Sequence, residues 1–403
     1  MPTPPPAAAR PIAIALAGLL SLAIAMGIGR FAFTPLLPMM LHDGVVDLAG
    51  ASGLATLNYL GYWLGAVACA LQPALWRRWG LAPPRHTTMV RLGLVATVLL
   101  TAGMATPWAA AWPGWRGLAG VASALVFVFV SGWCLARLTA LGQPALAGLM
   151  FVGPGLGIAV SGLAATAMVA LGWRAATGWA VFALLAGVLT ALAWPALRGT
   201  VGAPAALPDD HRHPPRATIA AFTLAYGLAG FGYIVTATFL PVIARQALPG
   251  SVWLDLFWPI FGLGVAAGAL LTLRLPVHWD RRHLLVAGYA MQAAGVLLSV
   301  WWPTLGGFAL GSALLGLPFT AITLFAVQEA RRLWPHNASA LIGLLTAAYG
   351  LGQIAGPPLV AWLLRHSASP AEGFATSLHA AAAALVLGLL IFAGLARSGP
   401  RAA

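Results

Sequence analysis

The chain contains no lysine and very little acid. Its 403 residues include 21 basic side chains, all arginine, against eight Asp and Glu, and only 7% of the residues are charged. Soluble domains carry about 25% charged residues, so this scarcity excludes an ordinary soluble protein. The two cysteines, Cys69 and Cys134, lie inside apolar runs without CxxC or Cys/His spacing. We therefore predict no disulfide framework, no metal site and no cofactor.

The net charge of +13 would ordinarily suggest a nucleic-acid partner. However, the arginines are scattered in short segments between apolar runs and form no continuous basic stripe. With 61% hydrophobic residues, the composition indicates an integral membrane protein that does not bind nucleic acid.

A membrane-spanning helix needs about 20 largely apolar residues, and the sequence contains twelve such runs. We number them as spans 1 to 12 in chain order: 12–41, 48–71, 88–110, 112–136, 145–171, 174–197, 217–244, 251–273, 283–303, 305–329, 338–364 and 373–396. The N-terminal segment and the apolar run after it resemble a secretory signal only superficially, because the apolar run continues to Leu41. We interpret this apolar run as a retained first span.

The arginines also predict the orientation of the spans. Sixteen of the 21 fall in the terminal tails and in the loops that follow even-numbered spans, and cytoplasmic loops are the ones enriched in Lys and Arg. Both termini are therefore predicted to be cytoplasmic. Residues 1–11 and 397–403 are predicted as tails, and the Gly-, Pro- and charge-rich segment 198–216 as a flexible cytoplasmic linker.

The predicted halves, 12–197 and 217–396, share an internal repeat. An offset of 203 residues relates Gly27, Gly29, Pro38, Gly61, Gly65, Trp76 and Arg78 to Gly230, Gly232, Pro241, Gly264, Gly268, Trp279 and Arg281. An offset of 195 then relates the "GL" at 148 and "GLG" at 155 to those at 343 and 350. Parallel repeats with a substrate site near the midplane are a recurrent transporter plan. The repeat therefore predicts a transporter that works by alternating access.

Two motifs, "MGIGRFAFTPLLPMM" in span 1 and "NYLGYWLGA" in span 2, resemble the YbfB/YjiJ branch of the major facilitator superfamily. The resemblance covers essentially all twelve spans. It implies an all-α membrane protein with two pseudo-symmetric six-helix bundles in a bacterial inner membrane. It also implies that spans 1, 4, 7 and 10 line a central cavity and that transport is coupled to protons.

Arg30 is the most unusual residue of span 1, since seventeen uncharged residues lead up to it and eleven follow. A charge at the bilayer centre costs about 2.5–3.5 kcal/mol or more, so an intramembrane Arg is a functional candidate. No acid lies mid-span, and an unpaired guanidinium suits a carboxylate or phosphate. The alternative is structural: Arg30 would bond to carbonyls freed around Gly27 and Gly29, or extend outward along the helix. The predicted substrate-binding residues are Arg30, Phe33, Thr34, Asn58, Tyr59, Tyr226, Tyr233 and Gln353.

A second set of residues is predicted to act in coupling or gating. Arg116 and Gly120 are similar to the family's Arg-x-x-x-Gly element. Arg116 also lies near the outer end of span 4, where its side chain could instead reach the membrane–water interface. The loop after span 2, "LWRRWGLAPPR", lacks the family's Asp, whereas Asp280 stands beside Arg281 in "HWDRRH". Glu329 either pairs with Arg331 or Arg332 or carries protons. Helix packing is predicted for Gly153, Pro154, Gly157, Gly352 and Gly356.

These observations predict a secondary transporter, monomeric and surrounded by lipid, that moves a small organic anion or another carboxylate-bearing solute. Export of hydrophobic drugs is the alternative, favoured by the aromatic-rich spans and by the "GPGLG" stretch at 153–157, which resembles an antiporter element. A membrane enzyme is disfavoured because the acids are scattered and the outer loops are short. Since no carboxylate lies mid-span, facilitated diffusion and anion exchange stay open beside proton coupling.

Overall fold

The computed structural model describes residues 11–82, 84–199, 214–251, 253–276, 278–334 and 338–398. Most of both predicted tails and of the predicted linker 198–216 lie outside these residues. Within them the chain forms helices and turns and no strand. Twelve helices are long and apolar enough to cross a membrane: Pro11–His42, Leu48–Arg78, His86–Gly103, Ala109–Ala140, Pro144–Ala170, Ala175–Ala193, Arg216–Ala247, Leu254–Thr272, Arg281–Trp301, Leu305–Leu333, Ala340–His366 and Pro370–Arg397.

The twelve predicted spans are thereby confirmed, and only their ends differ. Span 3 ends at Gly103, earlier than predicted, because turns and a short 3-10 helix, Ala109–Ala111, follow it. Span 2 extends further than predicted, to Arg78, because the helix continues through Pro73. Helix termini that carry arginine reach past the apolar core, so hydropathy alone ends them too early.

Span 1 is not a continuous α-helix. It consists of an α-helix at Pro11–Leu22, a π-helical stretch at Ala23–Ile28, a turn at 29–32 and a second α-helix at Phe33–His42. In the π-helical stretch the amide of Gly29 donates to the carbonyl of Ile24, five residues earlier. Such insertions leave neighbouring carbonyls without their usual partners and often mark functional sites. Arg30 lies directly after this irregular stretch.

Other spans also change their helical geometry. Span 5 begins with a 3-10 helix at Pro144–Phe151 before its α-helix at Val152–Ala170, and span 8 begins with one at Leu254–Leu256. Span 10 is divided into Leu305–Gly316 and Phe319–Leu333, with Pro318 between them. Pro removes a backbone donor and clashes with the preceding turn, which accounts for this division.

The glycines of the internal repeat occupy equivalent positions in the two halves. A Cβ on Gly157 would lie 2.8 Å from the Cα of Gly27, where span 5 crosses span 1. A Cβ on Gly352 would lie 3.2 Å from the carbonyl carbon of Gly230, where span 11 crosses span 7. These distances leave no room for a larger residue, so small residues at matched positions allow matched helix crossings.

The two halves meet along two lateral interfaces. Span 5 packs closely against span 8, where a Cβ on Gly155 would lie 2.4 Å from the amide nitrogen of Ala266. Span 2 packs against span 11, and the indole Nε1 of Trp63 donates to the carbonyl of Ala347 over 3.0 Å.

The two ends of this arrangement differ. We call the end where spans 1 and 7 begin the basic end and the opposite one the far end. Toward the far end, Thr34 of span 1 donates to the carbonyl of Ala237 in span 7 over 2.8 Å, and the Tyr59 hydroxyl lies 2.8 Å from Thr238 Oγ1. At the basic end, the first helix of span 1, Pro11–Leu22, packs against spans 4, 5 and 6 of its own half. The halves are therefore closed against each other at the far end.

Candidate functional site

The centre of the site is the Arg30 guanidinium. Although charged, Arg30 is only 3% exposed. Its Nη2 donates to Oε1 of Gln353 over 2.5 Å, and the Gln353 amide nitrogen in turn donates to the hydroxyl of Tyr233. Arg30 belongs to span 1, Gln353 to span 11 and Tyr233 to span 7, so this chain of bonds crosses from one half to the other.

No carboxylate neutralises Arg30 within the described parts of the chain, where it forms no ion pair. Its Nε is buried and has no hydrogen-bond partner among those residues. A buried charge is normally paired or fully hydrogen-bonded. The guanidinium therefore has unused capacity to bind an anion.

Aromatic rings enclose the guanidinium on the side of the first half. Its Cζ lies 4.0 Å from the ring centroid of Tyr62, 5.3 Å from that of Tyr59 and 5.4 Å from that of Phe31. A cation over the face of an aromatic ring is attracted by the ring quadrupole, by about 0.5–2 kcal/mol. The rings thus partly compensate for the missing counter-ion.

A second group of rings continues the site into the other half. Tyr349 stacks near Tyr233 and Tyr226, with ring centroids 5.8 and 4.8 Å apart, and Phe319 meets Tyr233 edge-on at 4.9 Å. The Tyr226 hydroxyl donates to Thr323 over 3.2 Å. Five of the six tyrosines of the chain therefore belong to one cluster that extends from Arg30 into the second half.

Exposure shows which side of this cluster is open. Toward the far end the side chains of Thr34 and Tyr59 are buried. Toward the basic end, Tyr62, Phe319 and Tyr349 are each partly exposed. The partly exposed rings therefore lie on the basic-end side of Arg30, and we call the space beside them the cleft.

Arg116 of span 4 is also buried, at 2% exposure, but it donates to backbone carbonyls and not to a side chain. Its Nη1 and Nη2 donate to the carbonyls of Gly29 and Arg30, each over 3.2 Å. These carbonyls belong to the irregular stretch of span 1. Arg116 thus makes the backbone contacts that the structural alternative assigned to Arg30, and it does not extend toward the end of its helix.

Two predicted substrate-binding residues lie with Arg116 rather than with Arg30. Asn58 is fully buried between spans 2 and 4, and its side-chain amide donates to the Arg116 carbonyl over 2.9 Å. Phe33 lies beneath the Arg116 guanidinium, 4.9 Å from ring centroid to Cζ. Asn58 therefore joins spans 2 and 4, Phe33 packs against Arg116, and neither is among the side chains recorded in contact with Arg30.

The other predicted coupling residues form a charge cluster at the basic end of the second half. Nε of Arg282 lies 2.6 Å from Oε1 of the buried Glu329, and Arg332 approaches the same carboxylate at 3.7 Å. Asp280 accepts from the amide of Arg282 and so caps the helix of span 9. Arg281 donates to the Trp279 carbonyl. The closest partner of Glu329 is thus Arg282, which sequence spacing does not indicate.

The residues predicted for helix packing lie at close crossings. A Cβ on Gly153 would lie 2.1 Å from the Leu19 carbonyl oxygen, and one on Gly356 would lie 2.4 Å from Cγ2 of Ile234. Pro154 is buried in the first turn of its helix, where a missing amide hydrogen is tolerated.

The set of predicted binding residues given above omits Tyr62, Tyr349 and Phe319. The sequence nevertheless places two of them in the polar lining, because Tyr62 is one turn from Asn58 and Tyr349 is one turn from Gln353. Phe319 follows the Pro318 break of span 10 and has no polar neighbour in sequence that would select it.

A broken first span, two six-helix halves closed at one end and a polar, aromatic cluster between them define a membrane transport protein. A family model described as "Uncharacterised MFS-type transporter YbfB" matches residues 22–393. The chain therefore belongs to this family of the major facilitator superfamily, as the motifs of spans 1 and 2 predicted.

Two further similarities agree with this assignment. The chain is 29% identical over 374 residues to a protein named "Chloramphenicol resistance protein" from Streptomyces lividans, covering 87% of this chain and 89% of that one. The nucleoside transporter NupG superposes with a TM-score of 0.70 at 14% identity, covering 96% of this chain and 99% of that structure. The latter similarity confirms the fold.

Proposed function

We propose that this protein is a secondary transporter of small organic anions. The observation that carries the proposal is the buried Arg30, which bonds to a neutral amide and has no carboxylate partner among the described residues. A guanidinium offers a planar fork of donors that matches a carboxylate. A carboxylate-bearing solute that enters the cleft would supply the missing counter-charge.

Transport would follow alternating access, with one half rocking against the other around Arg30. The bonds of Thr34 and Tyr59 to span 7 close the far end in the present arrangement. Rocking would break them and close the basic end instead. Because the Arg30–Gln353 bond also joins the two halves, the same motion would alter the binding site.

We further propose that the protein lies in a bacterial inner membrane with both termini in the cytoplasm, since the basic end carries most of the arginines. The cleft then opens to the cytoplasm in this arrangement. The protein would act as a carrier and not as an enzyme.

Uptake into proteoliposomes tests the anion proposal. We expect the wild-type protein to take up a radiolabelled carboxylate from a panel of organic acids, and Arg30→Ala to lose this uptake. Losing a hydrogen bond to a charged group costs about 1.5–3 kcal/mol, a decrease of about 10- to 100-fold. Arg30→Lys keeps the charge but not the planar fork of donors, so its uptake should lie between that of the wild type and that of Arg30→Ala. Normal uptake by both variants at normal expression would contradict the proposal.

A second candidate function is efflux of hydrophobic drugs. It is favoured by the similarity to the chloramphenicol resistance protein and by the aromatic lining of the cleft. Cells that express the chain would then tolerate higher concentrations of chloramphenicol, and Arg30→Ala would keep this tolerance. Uptake of carboxylates with no change in drug tolerance would favour the anion proposal.

Coupling to protons would require a carboxylate that changes its protonation state. Glu329 is the buried acid among the described residues, and its ion pair with Arg282 joins spans 9 and 10 at the basic end. An imposed pH gradient should therefore drive uptake by the wild type but not by Glu329→Gln. Exchange of internal for external anion without a pH gradient would instead indicate antiport of anions.

A further inference from the structure

We infer that the preferred solute is a monocarboxylate with a planar aromatic body, and that its carboxylate replaces the Gln353 amide oxygen on Arg30. The inference rests on the proposed function and names the substrate class of the same site. Three features carry it: the charge of the site, the edge of the guanidinium that includes the unpartnered Nε, and the partly exposed rings beside it.

The charge of the site fits a single negative charge. Arg30 is the cation among the rings, and the other buried guanidinium nearby, Arg116, keeps its charge and an unpartnered Nε but already uses both terminal nitrogens on backbone carbonyls of span 1. The remaining polar groups that contact Arg30 or its partners, among the described residues, are neutral amides and hydroxyls. A dianion would leave one carboxylate unpaired, and the ammonium of a zwitterion would find no acid here.

The geometry of Arg30 limits how a carboxylate can approach. Tyr62 covers one face of the guanidinium at 4.0 Å, so a ligand must bind at its edge. Nε and Nη2 form one edge of the fork; Nε has no partner and Nη2 holds Gln353. A carboxylate accepting from both nitrogens would satisfy the orphaned donor, which the single amide oxygen does not.

Gln353 is a neutral substitute for the solute in this arrangement. Its oxygen accepts from Arg30 while its nitrogen donates to Tyr233. When a carboxylate displaces it, the Tyr233 hydroxyl can donate to the second carboxylate oxygen. The exchange replaces a neutral acceptor with a charged one, and charge-assisted hydrogen bonds are about twice as strong as neutral ones.

The aromatic body follows from what lies on the open side of Arg30. The partly exposed Tyr62, Phe319 and Tyr349 come from spans 2, 10 and 11, so rings face the entering solute from both halves. Rings prefer offset-stacked or edge-on contacts with other rings. Thr323, which accepts from Tyr226, adds one polar group that tolerates a small substituent on the solute.

The test uses binding to the purified full-length protein, measured by calorimetry and by thermal shift. Benzoate is the probe, and each comparison changes one feature: benzamide removes the charge, cyclohexanecarboxylate removes the aromaticity, and phthalate adds a second charge. We expect benzoate to bind about threefold to tenfold more tightly than cyclohexanecarboxylate. Benzamide and phthalate should bind at least tenfold more weakly than benzoate.

Two variants test the residues. Gln353→Glu places a carboxylate on Arg30 permanently, so we expect it to raise the melting temperature and to abolish benzoate binding. Tyr62→Leu should remove the preference for benzoate over cyclohexanecarboxylate. Tyr289→Phe is the control, because Tyr289 is the tyrosine outside the cluster and donates to the Ala225 carbonyl; it should keep the wild-type preference.

The outcomes separate this inference from the proposed function. If cyclohexanecarboxylate binds as tightly as benzoate and both need Arg30, the aromatic preference is wrong while the transport of organic anions stands. Benzoate binding that is unchanged in Gln353→Glu would overturn the exchange at Arg30. If no carboxylate binds and chloramphenicol does, both the inference and the proposed function are wrong.

Discussion

Two arginines lie buried side by side in this protein, and their partners differ. Arg116 donates to the backbone of span 1, within its own half, and both nitrogens that end its side chain are engaged. Arg30 donates to the side chain of Gln353, in the other half. The Nε of each arginine is buried without a hydrogen-bond partner among the described residues, so the difference lies in the partners of the terminal nitrogens. Under the proposed alternating access, the contacts of Arg116 would stay together when the halves rock, whereas those of Arg30 would change.

The difference shows that burial of a charge does not by itself identify a substrate site. Both residues are almost completely shielded and both lie within predicted spans. What distinguishes them is the acceptor of their terminal nitrogens: backbone carbonyls of the same half for Arg116, and a side chain of the other half for Arg30. We expect contacts within a half to determine stability, and contacts between halves to determine transport.

The largest effect is expected from Arg116→Leu. It leaves the carbonyls of Gly29 and Arg30 buried without their donor, at about 1–3 kcal/mol for each unsatisfied group. We expect a loss of about 2–6 kcal/mol in stability, partly offset because a buried charge is also removed, and seen as a lower melting temperature in detergent and low expression. Arg78→Leu is the matched control, because Arg78 is exposed. A normal melting temperature for Arg116→Leu would show that these bonds do not hold span 1.

Gly352→Val should have the next largest effect, again within one half. A Cβ there would lie 2.2 Å from the Gly227 carbonyl oxygen, so spans 7 and 11 would have to separate. Overpacking of this kind costs about 1–3 kcal/mol. The control is Gly343→Val, in the same helix, where a Cβ would meet no atom within 4 Å. Equal melting temperatures for the two variants would contradict the close crossing of spans 7 and 11.

Arg30→Leu should lower stability less than Arg116→Leu. It removes one bond and leaves the Gln353 oxygen without its donor, at about 1–3 kcal/mol, partly offset because a buried charge is also removed. Uptake of the organic anion should nevertheless be lost. A drop in melting temperature as large as that of Arg116→Leu would show that Arg30 is mainly structural and would remove the contrast between the two residues.

The sequence predicted the fold because hydropathy reports on the helices and the matched glycines report on their crossings. It also selected Arg30, since one charge in a long apolar run is conspicuous. It placed Asn58 in the binding site because Asn58 shares a helix face with Tyr62, but the same residue is turned toward span 4. The spacing did indicate the pair of Glu329 with Arg332, three residues later. The partners of Arg116 and the closest partner of Glu329, Arg282, come from other spans, so no spacing within one helix could indicate them.

Thr34→Val should have the smallest effect on stability, because it removes only one contact that closes the halves at the far end. Thr34 and Ala237 are related by the 203-residue repeat, so their bond lies where the approximate symmetry axis passes between the halves. Losing one neutral hydrogen bond costs about 0.5–1.5 kcal/mol, which would shift the balance between the two access states about two- to tenfold. Hydrogen exchange at the far ends of spans 1 and 7 should increase, with little change in melting temperature. Unchanged exchange there would show that the bond does not contribute to closure.

The unpaired charge of Arg30 has an electrical consequence. Because Arg30 and Arg116 are both buried without a carboxylate partner among the described residues, the empty carrier holds two positive charges in this region, and a bound monoanion lowers this charge by one. A potential of 100 mV acts on one elementary charge with about 2.3 kcal/mol across the full membrane. Voltage should therefore bias the return of the empty carrier more strongly than the loaded step, so that a negative interior retains the vacant site on the cytoplasmic side.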